Sequence, residues 1–372
     1  MSLSWTMINI LLVIYATTFD APALLGTLWT VIGLSRFLTE TPSGILVDKI
    51  GSKPAIIGGL VLICASYLLF ASAQTATDIL ASSALAGSGF VISALGLMVQ
   101  AAYYTPPDER LRYMGIINGS TMASNIVGPT IGGFIADHFG LRISFIASSI
   151  TAFTALLIAL MTRKIEAKGS GRKVSGILHD YRIFMTKRLY LALFLVSFLF
   201  SLISWGFRSM VLPTYGTDVL SLNITQIGLL SSATSTTLFL VQFFLSGIME
   251  RFSRRLLVTL GLLICSIDIY AYTAASEFYA LVAISAFLGI GLGIITPSLE
   301  AIWIDITKAE DRGRVYGIRI AFFDLGQISW STIITAVVSI GSYMPLYTAS
   351  SVALLTALIL FLVLGNSQQL AS

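Results

Sequence analysis

Apolar runs of about 18 to 26 residues, broken by short polar stretches, follow one another from end to end of the chain. Each is long enough to cross a hydrocarbon core of roughly 30 Å. The pattern predicts twelve spans, at 3–19, 24–46, 55–73, 78–104, 113–136, 143–162, 189–213, 224–247, 256–274, 278–304, 315–340 and 343–365. The runs are apolar on every side and do not alternate, so the spans are helices and not barrel strands. Composition agrees, with 56% hydrophobic and 11% charged residues, where soluble domains carry about a quarter charged. The expected fold class is an all-α polytopic protein of the cell membrane, with the lipid bilayer as its solvent.

The breaks between runs repeat. Around Gly44, Asp48, Lys49, Gly51 and Lys53 a short charged hinge separates two spans, and Ser246, Glu250, Arg251 and Arg255 echo it; Ser246 stands 202 positions after Gly44. The same offset carries Gly26 to Gly228, Gly59 to Gly261, Gly87 and Gly89 to Gly289 and Gly291, and Gly115 to Gly317. It also carries Asp108-Glu109-Arg110 to Glu310-Asp311-Arg312. A gapless register of this length marks two copies of one unit. The expected domains are a six-helix bundle over 1–162, a linker over 163–188 and a second six-helix bundle over 189–372. Within the linker, Ile177 to Met185 alternates apolar and basic residues, as either an amphipathic helix on the inner leaflet or a solvated loop would.

Charge sets the orientation. With both hinges facing the cytosol, 19 of the 22 Lys and Arg residues lie inside, which the positive-inside rule favours. The exceptions are Arg142, in an outer loop, and Arg36 and Arg208, within spans. Both termini are then cytosolic, and the net charge of +4 reflects this asymmetry and not a nucleic-acid surface. Cys64 and Cys265 fall inside apolar spans as packing residues. No cleavable leader is expected, and the first span is expected to act as an uncleaved anchor. That span is short: Tyr15 aligns with Tyr215, yet 14 residues precede the first and 26 separate Leu189 from the second. Either the first helix is truncated or the start codon is placed too late, the latter being favoured.

The Gly44-x-x-x-Asp48-Lys49-x-Gly51-x-Lys53 pattern resembles the signature between the second and third helices of the major facilitator superfamily. The second copy resembles its degenerate counterpart, and Pro107 to Arg112 looks like the family's loop between helices four and five. Gly128, Pro129, Gly132 and Gly133 resemble the fifth-helix motif of drug:proton antiporters. The resemblance implies the major facilitator fold, two pseudo-symmetric six-helix bundles, working as a monomer on a small-molecule substrate. It also implies that Asp48, with Gly44, Lys49, Gly51, Lys53, Glu250 and Arg251, forms a latch that closes against the eleventh helix in one state and breaks in the other. Gly44 is expected to allow close approach at a helix end. Two departures stand out. An Arg common in family antiporters ahead of the fourth-helix Gly-x-Gly is replaced by Ser83, and Gly128-Pro129 has no second copy, since the offset leads to Trp330-Ser331.

An ionisable group within a span is costly unless paired or hydrated, so each is a candidate site. Arg36 and Glu40 share a face of the second helix, Glu300 sits in the tenth, Asp324 in the eleventh, and Arg208 and Asp268 in the seventh and ninth. None is duplicated. Arg36 with Asp324 as a pair across the halves, or Arg36 with Glu40 within one helix, are both open readings. Asp268 is assigned to packing. In a fold of this type Tyr15, Asn118, Asn125, Trp205, Gln242, Trp303, Gln327 and Trp330 face the central cavity, whose mixed aromatic and amide character suits a neutral or amphipathic solute.

The expected function is alternating-access secondary transport, proton-coupled export of a small neutral or amphipathic solute. The alternative is proton-coupled import of a metabolite such as a sugar or organic acid. The chain lacks a Gly-x-x-x-x-Gly-Lys loop, so ATP is not the direct drive and no cofactor is expected. Protons are expected at Glu40, Glu300 or Asp324. An enzyme is not expected, because His138 and His179 fall on opposite sides of the bilayer with no acid pair beside them.

Overall fold

In a computed structural model of the protein, the described residues are 1–19, 22–105, 109–162, 184, 186, 188–308, 311–338 and 344–364. Among them there are helices and no strands. The first six are α1 (Ser2–Thr17), α2 (Pro22–Ile50), α3 (Ser52–Ser72), α4 (Ala76–Tyr104), α5 (Arg110–Phe139) and α6 (Leu141–Met161). Six more follow as α7 (Arg188–Asp218), α8 (Ile224–Phe244), α9 (Arg254–Ala271), α10 (Phe278–Ile306), α11 (Arg312–Val338) and α12 (Met344–Leu364), with a helical turn at Ser246–Met249. The described residues thus form the expected twelve long helices. Among them eight are long and apolar enough to cross a membrane, and α1 and α12 are shorter apolar helices. The two left over, α2 and α5, carry the charged hinge and the glycine-proline motif.

Local chemistry explains the boundaries. Gly51 and Gly140 take φ of 91° and 90°, a left-handed region where glycine is strongly favoured, and each joins two helices in one residue. Thr75 and Asp78 close a capping box on α4, and Ser253 accepts from the Leu256 amide at the head of α9, each satisfying a free first-turn donor. The largest departure from α-geometry is Leu202–Val211, which is π-helical inside α7; such segments are frequent at functional sites.

Two compact units partition the chain. One holds Met1–Arg172 with Ser221–Gly228, and the other Lys173–Leu220 with Leu229–Ser372. In the first, α3 packs on α4 and α6, and α1 on α5 and α6; in the second, α9 packs on α10 and α12, and α7 on α11 and α12. Each of these pairings therefore recurs six helices later. The copied glycines lie at the copied crossings. A β-carbon on Gly87 would stand 2.7 Å from the Ile32 carbonyl oxygen, and one on Gly289 would meet that of Thr234 more closely still; Thr234 is 202 positions after Ile32. Gly59 meets Gly89 as Gly261 meets Gly291. Close approach of this kind is how helices gain packing where lipid removes the hydrophobic drive.

Two expectations need correction. Pro42 to Ile50 does not form a hinge, because α2 continues through it and only Gly51 breaks the helix. Among the described residues Gly44 makes no close approach: a β-carbon there would meet nothing within 4 Å. Arg319 falls inside α11, as the expected span over 315–340 has it. Most of the 163–188 linker, the Pro107-Asp108 loop and the side chains of Asp48 and Trp205 lie outside the described residues; Phe184, at the edge of the linker, is buried against Tyr190.

Candidate functional site

In the first unit the polar work falls to α2 and α5. Arg36 and Glu40 lie one turn apart on α2, both half-buried, and the Arg36 guanidinium stands 5.9 Å over the Phe90 ring of α4, a cation–π arrangement. Trp5 of α1 completes the aromatic floor, 5.4 Å from Phe90 and 6.4 Å from Trp29. The sequence signal for this floor was present, in aromatic residues on three successive inward faces, but it needed the packing to connect them.

On α5 the motif works as a notch on two sides. β-carbons at Gly128 and Gly132 would collide with Thr6 and with the Met7 backbone of α1, while one at Gly133 would lie 2.6 Å from the Ile224 carbonyl oxygen at the head of α8. One on Gly228 would in turn stand 2.5 Å from the Pro129 carbonyl oxygen. Asp137, in the last turn of α5, completes this contact. Its carboxylate accepts from the amides of Ile224 at 3.1 Å and Thr225 at 2.7 Å, and from the Thr225 hydroxyl. A carboxylate on free first-turn amides is favoured by both hydrogen bonding and the helix dipole. Sequence reasoning passed over Asp137 because a lone acid near a helix end has no spacing signature.

Of the residues expected to form the latch, Lys53 has partners within its own unit. Lys53 donates from Nζ to the Leu160 carbonyl at 2.8 Å and to that of Thr162, so it caps the end of α6. Arg255 does the same for α12, donating to the Leu362 carbonyl at 2.8 Å. Lys49, Glu250 and Arg251 are exposed.

In the second unit charge is paired between helices. Arg319 of α11 donates both terminal nitrogens to the two oxygens of Glu300 on α10, a fork geometry that is strong and directional. Arg254 pairs with Asp305 one turn beyond. Asp324, 2% exposed, sits on α11 five residues after Arg319. Arg208, in the π-helical segment, donates to the Ser235 hydroxyl at 3.0 Å.

Of the eight expected cavity residues, Asn118 is exposed and Asn125, Gln242 and Gln327 are half-buried. The expectation is corrected for two of the three tryptophans. Trp303 is 5% exposed and stacks on Phe194 with centroids 5.0 Å apart; Trp330 is 1% exposed, its indole filling the space a side chain at Gly206 would need. Aromatic burial against a ring or a glycine notch outweighs a place on an open wall. Tyr15 is buried as well, donating to the Ala73 carbonyl at 3.2 Å, and borders a cleft of about 860 Å³ with Gln74, Gly140 and Arg142 at the helix ends. Among the described residues, no group of three His, Cys, Asp or Glu could hold a metal.

A family model described as Major Facilitator Superfamily matches residues 1–223 and 193–370. An uncharacterized MFS-type transporter of Methanocaldococcus jannaschii is 23% identical, over 85% of this chain and 82% of its own. The quinolone resistance protein NorA of Staphylococcus aureus is 25% identical, over 89% and 84%. Among solved structures, a bacterial homolog of the human lysosomal transporter Spinster, inward-facing and occupied, superposes with a TM-score of 0.78 over 98% of this chain and 94% of its own, at 14% identity; at that identity the likeness is one of fold.

Proposed function

Because the chain belongs to the Major Facilitator Superfamily and is a membrane-integral secondary transporter, we propose that it exports a small neutral or amphipathic solute in exchange for protons. The observation that carries the proposal is the Arg319–Glu300 fork. A carboxylate gripped at both oxygens releases its partner when it takes a proton, so proton binding at Glu300 frees Arg319 and loosens α10 from α11. Asp324 and Glu40 are the further acceptors in this reading. Export is supported by the notch that Gly128, Pro129, Gly132 and Gly133 form on α5 and by the likeness to a quinolone resistance protein. In this reading the protein works as a monomer of the cell membrane with both termini in the cytosol, and an ion gradient supplies the drive.

Inside-out vesicles carrying the protein, loaded with an acidic lumen, test it. Ethidium and a fluoroquinolone are the probes. The expected result is probe uptake that a protonophore abolishes and that falls about tenfold or more in Glu300→Gln and in Asp324→Asn, the range of an ordinary coupling energy. Uptake indifferent to the protonophore, or unchanged in both variants, overturns the reading.

A further inference from the structure

We infer that Asp268 is a second proton-binding site, built inside the second unit and separate from Glu300 and Asp324. The inference rests on the proton-coupled reading above, but its first test does not.

Asp268 is 2% exposed on α9, and its Oδ2 has no hydrogen-bond partner among the described residues. A bare carboxylate in such a place costs several kcal/mol, so the stable form is the neutral acid or one offset by a nearby cation. Among the described residues no cation pairs with it. Arg208 of α7 reaches Ser235 through one terminal nitrogen, while its Nε is buried without a partner among the described residues. Tyr272 lies one turn beyond Asp268, within electrostatic reach of both Asp268 and Arg208, and its hydroxyl is 2.7 Å from that of Ser285 on α10. The phenol is thus the group that links the acid to the guanidinium, which do not pair directly.

The first unit shows what this place looks like when it only packs. Ser66, Phe70 and Ser83 stand 202 positions before Asp268, Tyr272 and Ser285. There Ser66 donates to the Ser82 carbonyl at 2.9 Å and Ser83 to the Ile79 carbonyl at 2.7 Å, each satisfied by backbone. Where structure alone is required, two serines and a phenylalanine suffice; the second unit has an acid and a phenol instead.

The remaining charged and titratable groups near α9 do not neutralise Asp268. On α9 itself Cys265 and Tyr270 are close in sequence, and Arg254 and Arg255 are about 20 Å away along the axis at 1.5 Å per residue. On α10 the acids Glu300 and Asp305 pair with Arg319 and Arg254, and Tyr279 is exposed. α12 brings only Tyr347, and α8 brings no charge. The site therefore takes a proton from hydronium at one face, forming one O–H bond on Asp268, and returns it to water from the other state.

Difference infrared spectroscopy of the purified protein in lipid nanodiscs, in light and heavy water, reads the carbonyl band of a protonated carboxyl while the pH is raised. Expected is a titrating band that is present in wild type and in Glu300→Gln, lost in Asp268→Asn and kept in Asp268→Glu. A band that survives in Asp268→Asn overturns the inference, whatever the fate of transport. In the inside-out vesicles, gradient-driven ethidium uptake by Asp268→Asn should fall about tenfold more than ethidium exchange at equal pH. Equal losses in both, in a variant that melts as wild type does, mark Asp268 as a packing residue and also overturn the inference.

Discussion

The α3–α4 pair of the first unit and the α9–α10 pair of the second are built alike and used differently. Both cross on paired glycines, Gly59 with Gly89 and Gly261 with Gly291. Both begin beside a cation that caps a distant helix, Lys53 on Leu160 and Arg255 on Leu362, and Leu362 itself stands 202 positions after Leu160. Between those fixed points the first pair buries Ser66 and Ser83, satisfied by backbone, and the second buries Asp268 and Tyr272 and carries the half-buried Glu300. Duplication preserved the frame, and a buried acid stands at this crossing in one copy only. Since a buried charge is costly in lipid and does nothing for helix packing, its presence in only one of these two pairs separates what holds the fold from what the second pair does.

The sharpest way to break that comparison is at the shared frame. Gly87→Val and Gly289→Val each drive a side chain into a backbone carbonyl that cannot yield, of Ile32 and of Thr234. Overpacking costs about 1–3 kcal/mol even where side chains can move, so both variants should lose most folded protein, seen as a collapse of the monodisperse peak in size-exclusion chromatography. The two losses should be alike. A variant that folds normally in one unit and not in the other would mean that the copied glycines no longer do the same job.

Next is the chemistry present in one copy only. Glu300→Gln leaves Arg319 without its fork. Both side chains keep some exposure, 38% for Glu300 and 18% for Arg319, so the cost is set below that of a fully buried pair, at about 1–2 kcal/mol. A drop in melting temperature checks it, and the double variant Glu300→Gln with Arg319→Gln should recover part of the loss. The matching positions of the first unit, Met98 and Ile117, are apolar. Exchanging either for leucine should move the melting temperature much less.

How far the sequence could carry this reading follows from the range of the forces involved. Helix number, the two copies and the crossings at Gly59, Gly87, Gly89, Gly261, Gly289 and Gly291 were legible, because apolar length and small residues act locally and repeat. The hinge was misread. A proline and two charges within nine residues looked like a break, but Pro42 tolerates a helical path and only the positive φ of Gly51 ends α2. Partner choice was least legible. Lys53 carries the same charge whether it meets an acid, a headgroup or the end of α6, and Glu300 cannot announce Arg319 from 19 positions away in a different helix. Trp303 and Trp330 were placed on a cavity wall because their helices face the cavity in a fold of this type, whereas Phe194 and Gly206 offered closer contact.

The smallest effect is also the most discriminating, because it compares the two copies at a single contact. Lys53 donates to the Leu160 and Thr162 carbonyls at the end of α6, and Arg255 to the Leu362 carbonyl near the end of α12. A cation on the last carbonyls of a helix contributes about 0.3–1 kcal/mol, through the dipole as well as the hydrogen bond. Lys53→Ala and Arg255→Ala should therefore each lower the melting temperature slightly and by similar amounts, and the double variant should lose the sum, since the two caps lie in different units. Lys53→Arg should restore the first. If Lys53→Ala instead leaves stability untouched and changes only the balance between transport states, the residue belongs to the latch that its motif resembles, and its cap on α6 is incidental.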